Sequence, residues 1–331
     1  HAESLVVVEQ RNACVPKPAR RFTRMEKFLA WVGELLSGGM RVVACHEAGP
    51  CGYWLCRRLR DMGVECLVVA PKKWAENGRT KTDSRDARVL CERLFQWTGG
   101  RTHVFTVVRV PTEEEERHRD RARTRETLIK ERKRIAQSGR GIGLRHQVRL
   151  RGQWWKGRSW TEIEGLLGEL LGHLREILIA IEKRIALLSA ELEGCAASKE
   201  VRPAGLGALT DSVIAAEVGD YGRFANRRGP GAFFGLVPGE DSSGGRRRQL
   251  SITKTGSGMA RRYLVEATWR LIRFQPGWHA WEKWRERYQE APKWRRQQII
   301  VALARQLMID LWRLRSGATT MERLGWTPAP H

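Results

Sequence analysis

The sequence predicts an α/β region at the N-terminus followed by a mostly helical remainder. Three observations lead to this fold class. Short β-rich runs alternate with helical spacing from residue 4 to 98, a charged stretch with an apolar heptad pattern follows, and helical segments separated by glycine-rich stretches fill the rest. A chain of 331 residues has room for two or three compact units, which the pattern places at 1–110, 111–200 and 201–331.

The N-terminal region is expected to contain three strands and three helices. β-branched and other apolar runs mark the strands, and apolar residues at intervals of three and four mark the helices. The expected elements are a strand over Ser4–Glu9, a helix over Arg24–Leu36, a strand over Arg41–Cys45, a helix over Gly52–Met62, a strand over Cys66–Ala70 and a helix over Asp83–Gln96.

A long charged helix is expected to begin after Thr112, because Thr112 and Glu115 have the spacing of a capping box. Farther along, apolar residues alternate steps of four and three, which is a heptad pattern. This apolar row can pack on the preceding helix as an antiparallel hairpin, on the same segment of a second subunit, or on a core as an ordinary bundle helix. Its members are Leu167, Leu171, Leu174, Leu178, Ile181, Ile185, Leu188 and Leu192.

Two glycine-containing segments follow in the C-terminal third. Pro203–Gly207 lies between helical patterns, as the hairpin of a helix-hairpin-helix element does, where glycine lets backbone amides approach a phosphate. Residues 229–245 are rich in glycine and contain the apolar run 232–237 before the polar stretch 240–245. Some of the six tryptophans between residues 269 and 312 are expected in the core, and others are available to stack on unpaired bases.

The charge indicates a polyanionic partner. Sixty Lys and Arg residues against 37 Asp and Glu give a net charge of +23 and a pI near 10.6. Between Arg117 and Arg158 there are 15 basic and three acidic residues, and residues 246–315 have 17 and five. No apolar run approaches the roughly 18 residues of a spanning helix, so nucleic acid is favoured over a membrane.

Cysteine usage indicates a reducing compartment. The seven cysteines are odd in number and form no CxxC pair, which argues against structural zinc and against a disulfide framework. The apolar run at residues 5–8 is too short for a secretory signal. A cytoplasmic, nucleoid-associated bacterial protein is the expectation.

Three carboxylates form a candidate metal site. Glu47 follows a predicted strand at its C-terminal edge, where open α/β sheets place their sites. Asp83 and Asp86 are three residues apart at a helix start and therefore share a face. They can be simply a solvated helix start, whereas together with Glu47 they offer the oxygen ligands that Mg²⁺ or Mn²⁺ prefers. His46 is interpreted as a structural histidine rather than a ligand.

A serine pair is the second candidate. Ser242 and Ser243 precede two glycines among arginines. The segment is typical of a flexible linker, and it also offers the backbone freedom and nearby cations that a nucleophile attacking a phosphate requires. No Gly-x-Ser-x-Gly motif is present, and no histidine is spaced for a hydrolase triad.

Several segments in the same order together resemble one family, the DEDD-type transposases of the insertion-sequence 110/1111 group, related to pilin-gene invertases. The resemblance covers nearly the whole chain. Its segments are His46–Tyr53, Lys81–Ala87, Val108–Thr112, Glu217–Asp220 with Arg223-Phe224, Gly235–Pro238, Ser242–Gly245 and Ile252–Gly256.

The resemblance implies an RNase H-like (RuvC-type) N-terminal domain, a central antiparallel coiled coil and a C-terminal transposase domain. It implies that Glu47, Asp83 and Asp86 are the second, third and fourth acidic residues of a metal-dependent catalytic site. Ser243 resembles the nucleophile that forms a transient phosphoserine, with Ser242 as the alternative. The residues implied to bind nucleic acid are Lys81, Arg85, Arg246, Arg247, Arg248 and Lys254.

The implied partners are DNA, a bridge RNA encoded by the element, and further copies of the chain in a dimer or tetramer. In the family the first aspartate lies two residues before the histidine that here is His1. The expectation is therefore a chain that begins after that aspartate and has little or no metal-dependent activity as it stands. Two other functions remain open: an inactive nucleic-acid-binding remnant of a transposase, and a RuvC-like junction nuclease without a serine intermediate.

Overall fold

The computed structural model describes residues 4–49, 51–70, 82–195, 201–243 and 246–329, and for residues 243, 246 and 247 only the backbone. The chain forms two compact units, His1–Thr112 and Glu113–His331. The fold class is mixed α/β, as the sequence predicts, with the larger unit mostly helical. The division of residues 113–331 into two further domains stays a prediction.

The first unit contains small sheets and three helices. β1 pairs with β2 in an antiparallel ribbon, and β3, β4 and β5 form a second sheet in which β3 and β4 are parallel and β5 is antiparallel. The elements are β1 (Leu5–Val7), β2 (Arg20–Phe22), α1 (Met25–Ser37), β3 (Val43–Glu47), α2 (Trp54–Asp61), β4 (Glu65–Val69), α3 (Asp83–Thr98) and β5 (Val107–Val108).

The three-stranded sheet is covered on both faces. On one face Val68 packs with Phe28 of α1 and Leu59 of α2. On the other face Val69 packs with Phe105 and with the apolar side of α3. Alternate residues of β4 therefore supply both cores, which is why this strand is a continuous apolar run.

The predicted elements of this unit are confirmed with small shifts in their bounds. The largest shift is in β3, which ends at Glu47 rather than at Cys45, so that Glu47 is the last strand residue and does not follow the strand. β2 and β5 are short and were not predicted. Because the described strands form two separate sheets, the RNase H-like arrangement stays a prediction.

The second unit is built on a long helical hairpin that leads into a globular helical core. Its elements are α4 (Glu113–Arg145), α5 (Gly157–Glu193), α6 (Ala208–Val218), α7 (Arg228–Phe233), β6 (Pro238–Ser243), β7 (Arg246–Ile252), α8 (Gly258–Phe274), α9 (His279–Glu290) and α10 (Lys293–Arg315). The core packs α8 and α10 against the other elements, and its central side chains include Leu264, Leu271, Leu303 and Leu307.

α4 and α5 are antiparallel. Arg132 lies 3.4 Å from Glu182, whereas Arg125, two turns earlier in α4, donates a 2.7 Å hydrogen bond to Ser189, two turns later in α5. Every residue of the heptad row is buried or half-buried. The row therefore packs within the chain, on the preceding helix and at its C-terminal end on the helical core. Supercoiling of the two helices stays a prediction.

The segment Pro203–Gly207 is bound within the second unit. The backbone N–H groups of Ala204 and Leu206 hydrogen-bond to the carbonyls of Thr327 and Pro203, and Gly205 lies against Phe274. These two amides are thus engaged inside the protein rather than presented to a phosphate. The glycine-rich stretch 229–245 contains most of α7 and all of β6.

Arginine–carboxylate pairs join the long hairpin to the helical core. Arg262 of α8 donates two hydrogen bonds, of 2.8 and 2.7 Å, to the carboxylate of Glu126 in α4. Arg123 of α4 does the same to Glu217 of α6, at 3.0 and 3.1 Å. Both carboxylates are buried, so each needs its arginine to offset the loss of hydration. The hydrogen bonds from Arg262 lower the pKa of Glu126.

Gly139 is predicted to be intolerant of a side chain. A Cβ atom there would lie 2.2 Å from the Trp154 ring, whereas one at Gly141, on the same helix, meets only the end of Arg145 at 3.9 Å. We expect Gly139→Ala to destabilise the fold by about 1–3 kcal/mol and Gly141→Ala to stabilise it by up to about 1 kcal/mol. Urea unfolding of both variants tests this, and equal effects would contradict it.

The Glu126–Arg262 pair is predicted to make stability depend on acid pH. Because the folded-state pKa lies below the ordinary 4.5, the pair stabilises fully above about pH 4.5 and is lost as the pH falls through the folded-state value. We expect Glu126→Gln to cost about 2 kcal/mol at neutral pH and to flatten the loss of stability below pH 4.5. The control is Glu131→Gln, whose pair with Arg134 is exposed. A thermal melt at each pH measures both, and unchanged acid sensitivity in Glu126→Gln would refute the assignment.

Candidate functional site

Glu47 and Asp86 lie on the same side of the three-stranded sheet. Glu47 shares its strand face with Cys45, whose thiol lies 3.9 Å from the carbonyl oxygen of Leu90 in α3. Asp86 is one turn before Leu90 in α3 and, like Glu47, is half-buried. The helix that carries the candidate aspartates thus covers the face from which Glu47 projects.

Asp83 begins α3 at the edge of a separate cleft. Thr82 caps this helix, since its side-chain oxygen accepts a 3.4 Å hydrogen bond from the backbone N–H of Arg85. Asp83 is exposed and lies 4.0 Å from Arg21. The two residues line a cleft of about 410 Å³ together with Arg20 and Thr82. A phosphate entering here would therefore meet cations from β2 as well as the first carboxylate of α3.

The spacing of the three carboxylates does not form a closed metal site. Among the described residues, the only group of three or more potential ligands with all ligand atoms within 4.8 Å of one another is His46, Cys56 and Cys66. Glu47, Asp83 and Asp86 have the hard oxygen donors that suit Mg²⁺ or Mn²⁺. Their chemistry therefore fits a divalent ion, whereas their positions do not bring all three oxygens around one point.

The histidine and cysteine group belongs to the core beneath the sheet. Cys56 is fully buried and donates a weak hydrogen bond to the carbonyl of Cys66, 3.4 Å away. Burial raises the pKa of the Cys66 thiol far above its ordinary value, and burial lowers the pKa of His46. His46 pairs through Nδ1 with the carbonyl oxygen of Glu47 at 3.0 Å, while its Nε2 is buried and has no hydrogen-bond partner among the described residues. Its structural role stays a prediction.

The serine pair lies at the end of a strand rather than in a loop. β6 and β7 are antiparallel, with Ser243 opposite Arg246 and Ser242 opposite Arg247 in backbone register. Residues 244 and 245, which connect the strands, lie outside the described residues. The expectation of a flexible linker is corrected here, because the ladder fixes the backbone of both serines and sets two arginines directly across from them.

Glu240 accepts a 2.8 Å hydrogen bond from the hydroxyl of Ser242. The two residues are two apart in β6 and therefore share one face of the ribbon. A carboxylate in this position can take the proton of a hydroxyl group that becomes a nucleophile. Glu240 was not among the predicted site residues. The signal that could have revealed it is an acidic residue two positions before Ser242, which would share a face with the serine in a strand.

The ribbon is fixed to the helical core by close backbone contacts. Gly235 has a φ of +61°, and a Cβ atom there would lie 2.3 Å from the backbone nitrogen of Thr255. Gly256 has a φ of +71°, and its Cβ would lie 2.1 Å from the carbonyl oxygen of Phe233. Arg261 adds hydrogen bonds to the carbonyls of Phe234 and Thr255, at 2.8 and 3.0 Å. The segments 233–236 and 254–256 therefore form one rigid base for β6 and β7.

The predicted nucleic-acid-binding residues fall into three groups. Arg246, Arg247 and Arg248 lie in β7, where the exposed side chain of Arg248 is described and those of the other two are not. Lys254 is exposed at the base of the ribbon with a φ of +56°. Arg85 is exposed in the first turn of α3, and Lys81 lies outside the described residues.

In the part of the chain that the structure describes, no helix is long and apolar enough to cross a lipid bilayer.

Comparison with known proteins identifies relatives with similar sequences. The family model described as "Transposase IS116/IS110/IS902 family" matches residues 203–283, which contain the serine ribbon and α8. The chain is 34% identical to the putative transposase y4qE of Sinorhizobium fredii over 71% of its own length and 60% of that protein.

Two further relatives are similar over most of both chains. The putative transposase y4rJ of Sinorhizobium fredii is 30% identical over 85% of this chain and 78% of its own. The transposase for insertion sequence element IS1111A of Coxiella burnetii is 25% identical over 76% of this chain and 71% of its own. The protein therefore belongs to the IS110/IS1111 family of transposases, as its sequence motifs predicted.

Proposed function

We propose that this protein is a DNA transposase that exchanges strands through a serine nucleophile on the β6–β7 ribbon. The observation that carries the proposal is the rigid ribbon itself, which holds Ser242 and Ser243 opposite two arginines. Its relatives are named as transposases, which supports DNA as the substrate. The net charge of +23 supplies the electrostatic attraction that such a substrate requires.

The chemistry is a transesterification. The serine oxygen forms a bond to phosphorus, the bond between phosphorus and one sugar oxygen breaks, and that sugar oxygen ends with the serine proton. A sugar hydroxyl of a second strand then attacks the phosphoserine and returns the proton to the serine. Each step exchanges one phosphoester bond for another, so the joining step needs no external energy source. Cations of β7 would stabilise the charge that develops on the phosphate.

Ser243 is the proposed nucleophile on the strength of the family motif, with Ser242 as the alternative. The contacts of the two serines do not decide which of them is the nucleophile. The bond from Ser242 to Glu240 gives that serine a proton acceptor, whereas the register places Ser243 nearest the turn, opposite Arg246. The two serines are therefore distinguished by experiment.

Mg²⁺ or Mn²⁺ is the proposed cofactor of the first unit. Glu47, Asp83 and Asp86 would hold the ion, and the bound ion would supply Lewis-acid stabilisation of a phosphate. The support is the chemistry of the three donors and the family motif. Because the three carboxylates are not gathered around one point, no step of the reaction is assigned to the ion.

A bridge RNA and a second copy of the chain are the proposed partners. The 15 basic residues between Arg117 and Arg158 support binding of a long polyanion, and sequencing of RNA that copurifies with the protein tests for one. Leu166, Leu170 and Ile177 form an exposed apolar stripe on one side of α5, separate from the buried heptad row. A stripe of this kind at helical spacing suits the same helix of another subunit.

The serine step predicts a covalent complex. With DNA that carries the element ends and Mg²⁺ present, we expect a detergent-stable protein–DNA adduct. Ser243→Ala should reduce it to background, while Ser242→Ala should weaken it and the control Ser251→Ala, elsewhere in the same ribbon, should leave it unchanged. A chelator and Glu47→Gln test the proposed ion separately, and an adduct that neither of them reduces would exclude the ion from the serine step.

The outcomes separate the competing functions. Loss of the adduct in Ser242→Ala alone would assign the nucleophile to Ser242. Cleavage that persists without either serine would favour a RuvC-like junction nuclease. DNA binding without cleavage in every variant, including the unaltered chain, would favour an inactive remnant.

The apolar stripe predicts the oligomeric state. We expect light scattering to give a dimer or tetramer of the 37.9 kDa chain, and Leu170→Lys with Ile177→Lys to convert it to a monomer. The matched control is Ile179→Lys, which is similarly exposed and lies on another side of α5. A monomer in the unaltered chain, or dissociation by the control alone, would exclude this interface.

A further inference from the structure

The second unit contains a cleft that the serine ribbon does not use. It has a volume of about 830 Å³, within the range of about 300–1,000 Å³ that is usual for small-ligand pockets. It opens beside the base of the ribbon, since the first residue of β6 and the last of β7 line it. Its walls come from α7, the ribbon base, α9 and α10.

The charge of the cleft has one sign. Four arginines line it, Arg227, Arg228, Arg305 and Arg313, and no lining residue is acidic. Within the described residues, none of these four guanidinium groups donates a hydrogen bond or lies within 4.0 Å of a carboxylate. The arginines that bind the long hairpin to the core are instead neutralised by Glu126 and Glu217. The nearest acidic group is the buried Asp310, which interacts electrostatically with Arg313 alone of the four. A group of four arginines with so little opposing charge indicates an anionic ligand.

The apolar lining is aromatic. Trp284 and Trp312 are half-buried, so part of each indole is accessible, and Leu236, Ile252 and Ile309 complete the apolar surface. Trp278 differs from these two indoles, because it is fully buried and its N–H donates to Asp310. Indoles beside arginines form the usual combination for a base and its phosphates.

Two polar groups in the cleft are held in position. The side-chain N–H of Gln306 donates a 2.9 Å hydrogen bond to Asp310, which leaves the amide oxygen of Gln306 as an acceptor. The side chain of Arg305 packs on α7 at Gly231. A Cβ atom on Gly231 would lie 3.0 Å from the Cγ and 3.2 Å from the Nε of Arg305. The side chain of Arg305 is therefore supported along its stem before it reaches the cleft.

We propose that this cleft binds one unpaired nucleotide, with the base against Trp284 and Trp312 and the phosphates on the arginines. A base inside a duplex is stacked and paired and cannot enter a concave pocket, whereas an unpaired or extruded base can. The proposal rests on the proposed function, because strand exchange exposes unpaired bases. β6 spans about 17 Å from the cleft to the serines, at about 3.3 Å per residue, so the nucleotide lies near the exchanged phosphate.

Binding of labelled 12-nucleotide oligonucleotides to the full chain, followed by fluorescence anisotropy, tests the proposal. The probes are single-stranded DNA, single-stranded RNA and the DNA duplex of the same sequence. We expect Trp284→Leu and Arg305→Gln each to weaken single-strand binding by about tenfold and duplex binding by less than about twofold. The preferred single strand identifies the source of the nucleotide. Arg305→Gln should also reduce the salt slope on single strands by about 0.7.

Matched controls are available on the same helices. Trp294→Leu changes an exposed indole of α10 outside the cleft, and Arg285→Gln changes an exposed cation of α9 outside it. Both controls should bind every probe as the unaltered chain does. If Trp284→Leu does not fold, Arg305→Gln decides the question, because its polar replacement leaves the core intact.

The outcomes distinguish this inference from the proposed function. Equal losses on single strands and duplex, or no loss in either cleft variant, would overturn the nucleotide site. The unaltered chain can bind nucleic acid and form the serine adduct while both cleft variants bind single strands normally. That result refutes the nucleotide site and leaves the proposed function standing. An unaltered chain that binds none of the probes refutes both.

Discussion

The close approach of segments 233–236 and 254–256 determines where the chemistry of the second unit can occur. Gly235 and Gly256 both have positive φ values, and in both cases a Cβ atom would collide with backbone of the other segment. Only glycine satisfies both demands at once. Arg261 then donates to carbonyls of both segments. A two-stranded ribbon is marginal on its own, and this base is what joins it to a stable core.

Two groups of arginines in the second unit have different roles. Arg123 and Arg262 each make two hydrogen bonds to a buried carboxylate and so stabilise the junction of hairpin and core. The arginines of the cleft have no such partner among the described residues. A count of charges cannot separate the populations, because both contribute equally to the +23. Burial of the opposing carboxylate separates them, since a charge that stabilises the fold is not available to a phosphate.

Much of the fold follows from local sequence, and the exceptions have physical reasons. The start of α3 at Asp83 was predicted because its cap and its apolar spacing are both local. The heptad row of α5 was predicted because seven-residue spacing records a buried face directly. β6 and β7 were missed because every described side chain from Asp241 to Ser251 is exposed, so that no apolar alternation marks a strand.

The candidate sites were predictable only where their residues are close together in the sequence. Spacing placed Asp83 and Asp86 on one helical face, yet it could not show that Asp83 is exposed beside Arg21 while Asp86 is half-buried. The cleft brings together residues from positions 227 to 318, which no local pattern connects.

Contacts with phosphates are independent of sequence, so the arginines of the ribbon can position DNA but cannot select a site. Selection requires groups that read bases. The indoles of the cleft do not meet this requirement, because stacking on them favours an unpaired base without specifying which one. Choice of a target sequence therefore has to come from hydrogen bonds to base edges, supplied by the protein or by a paired guide strand.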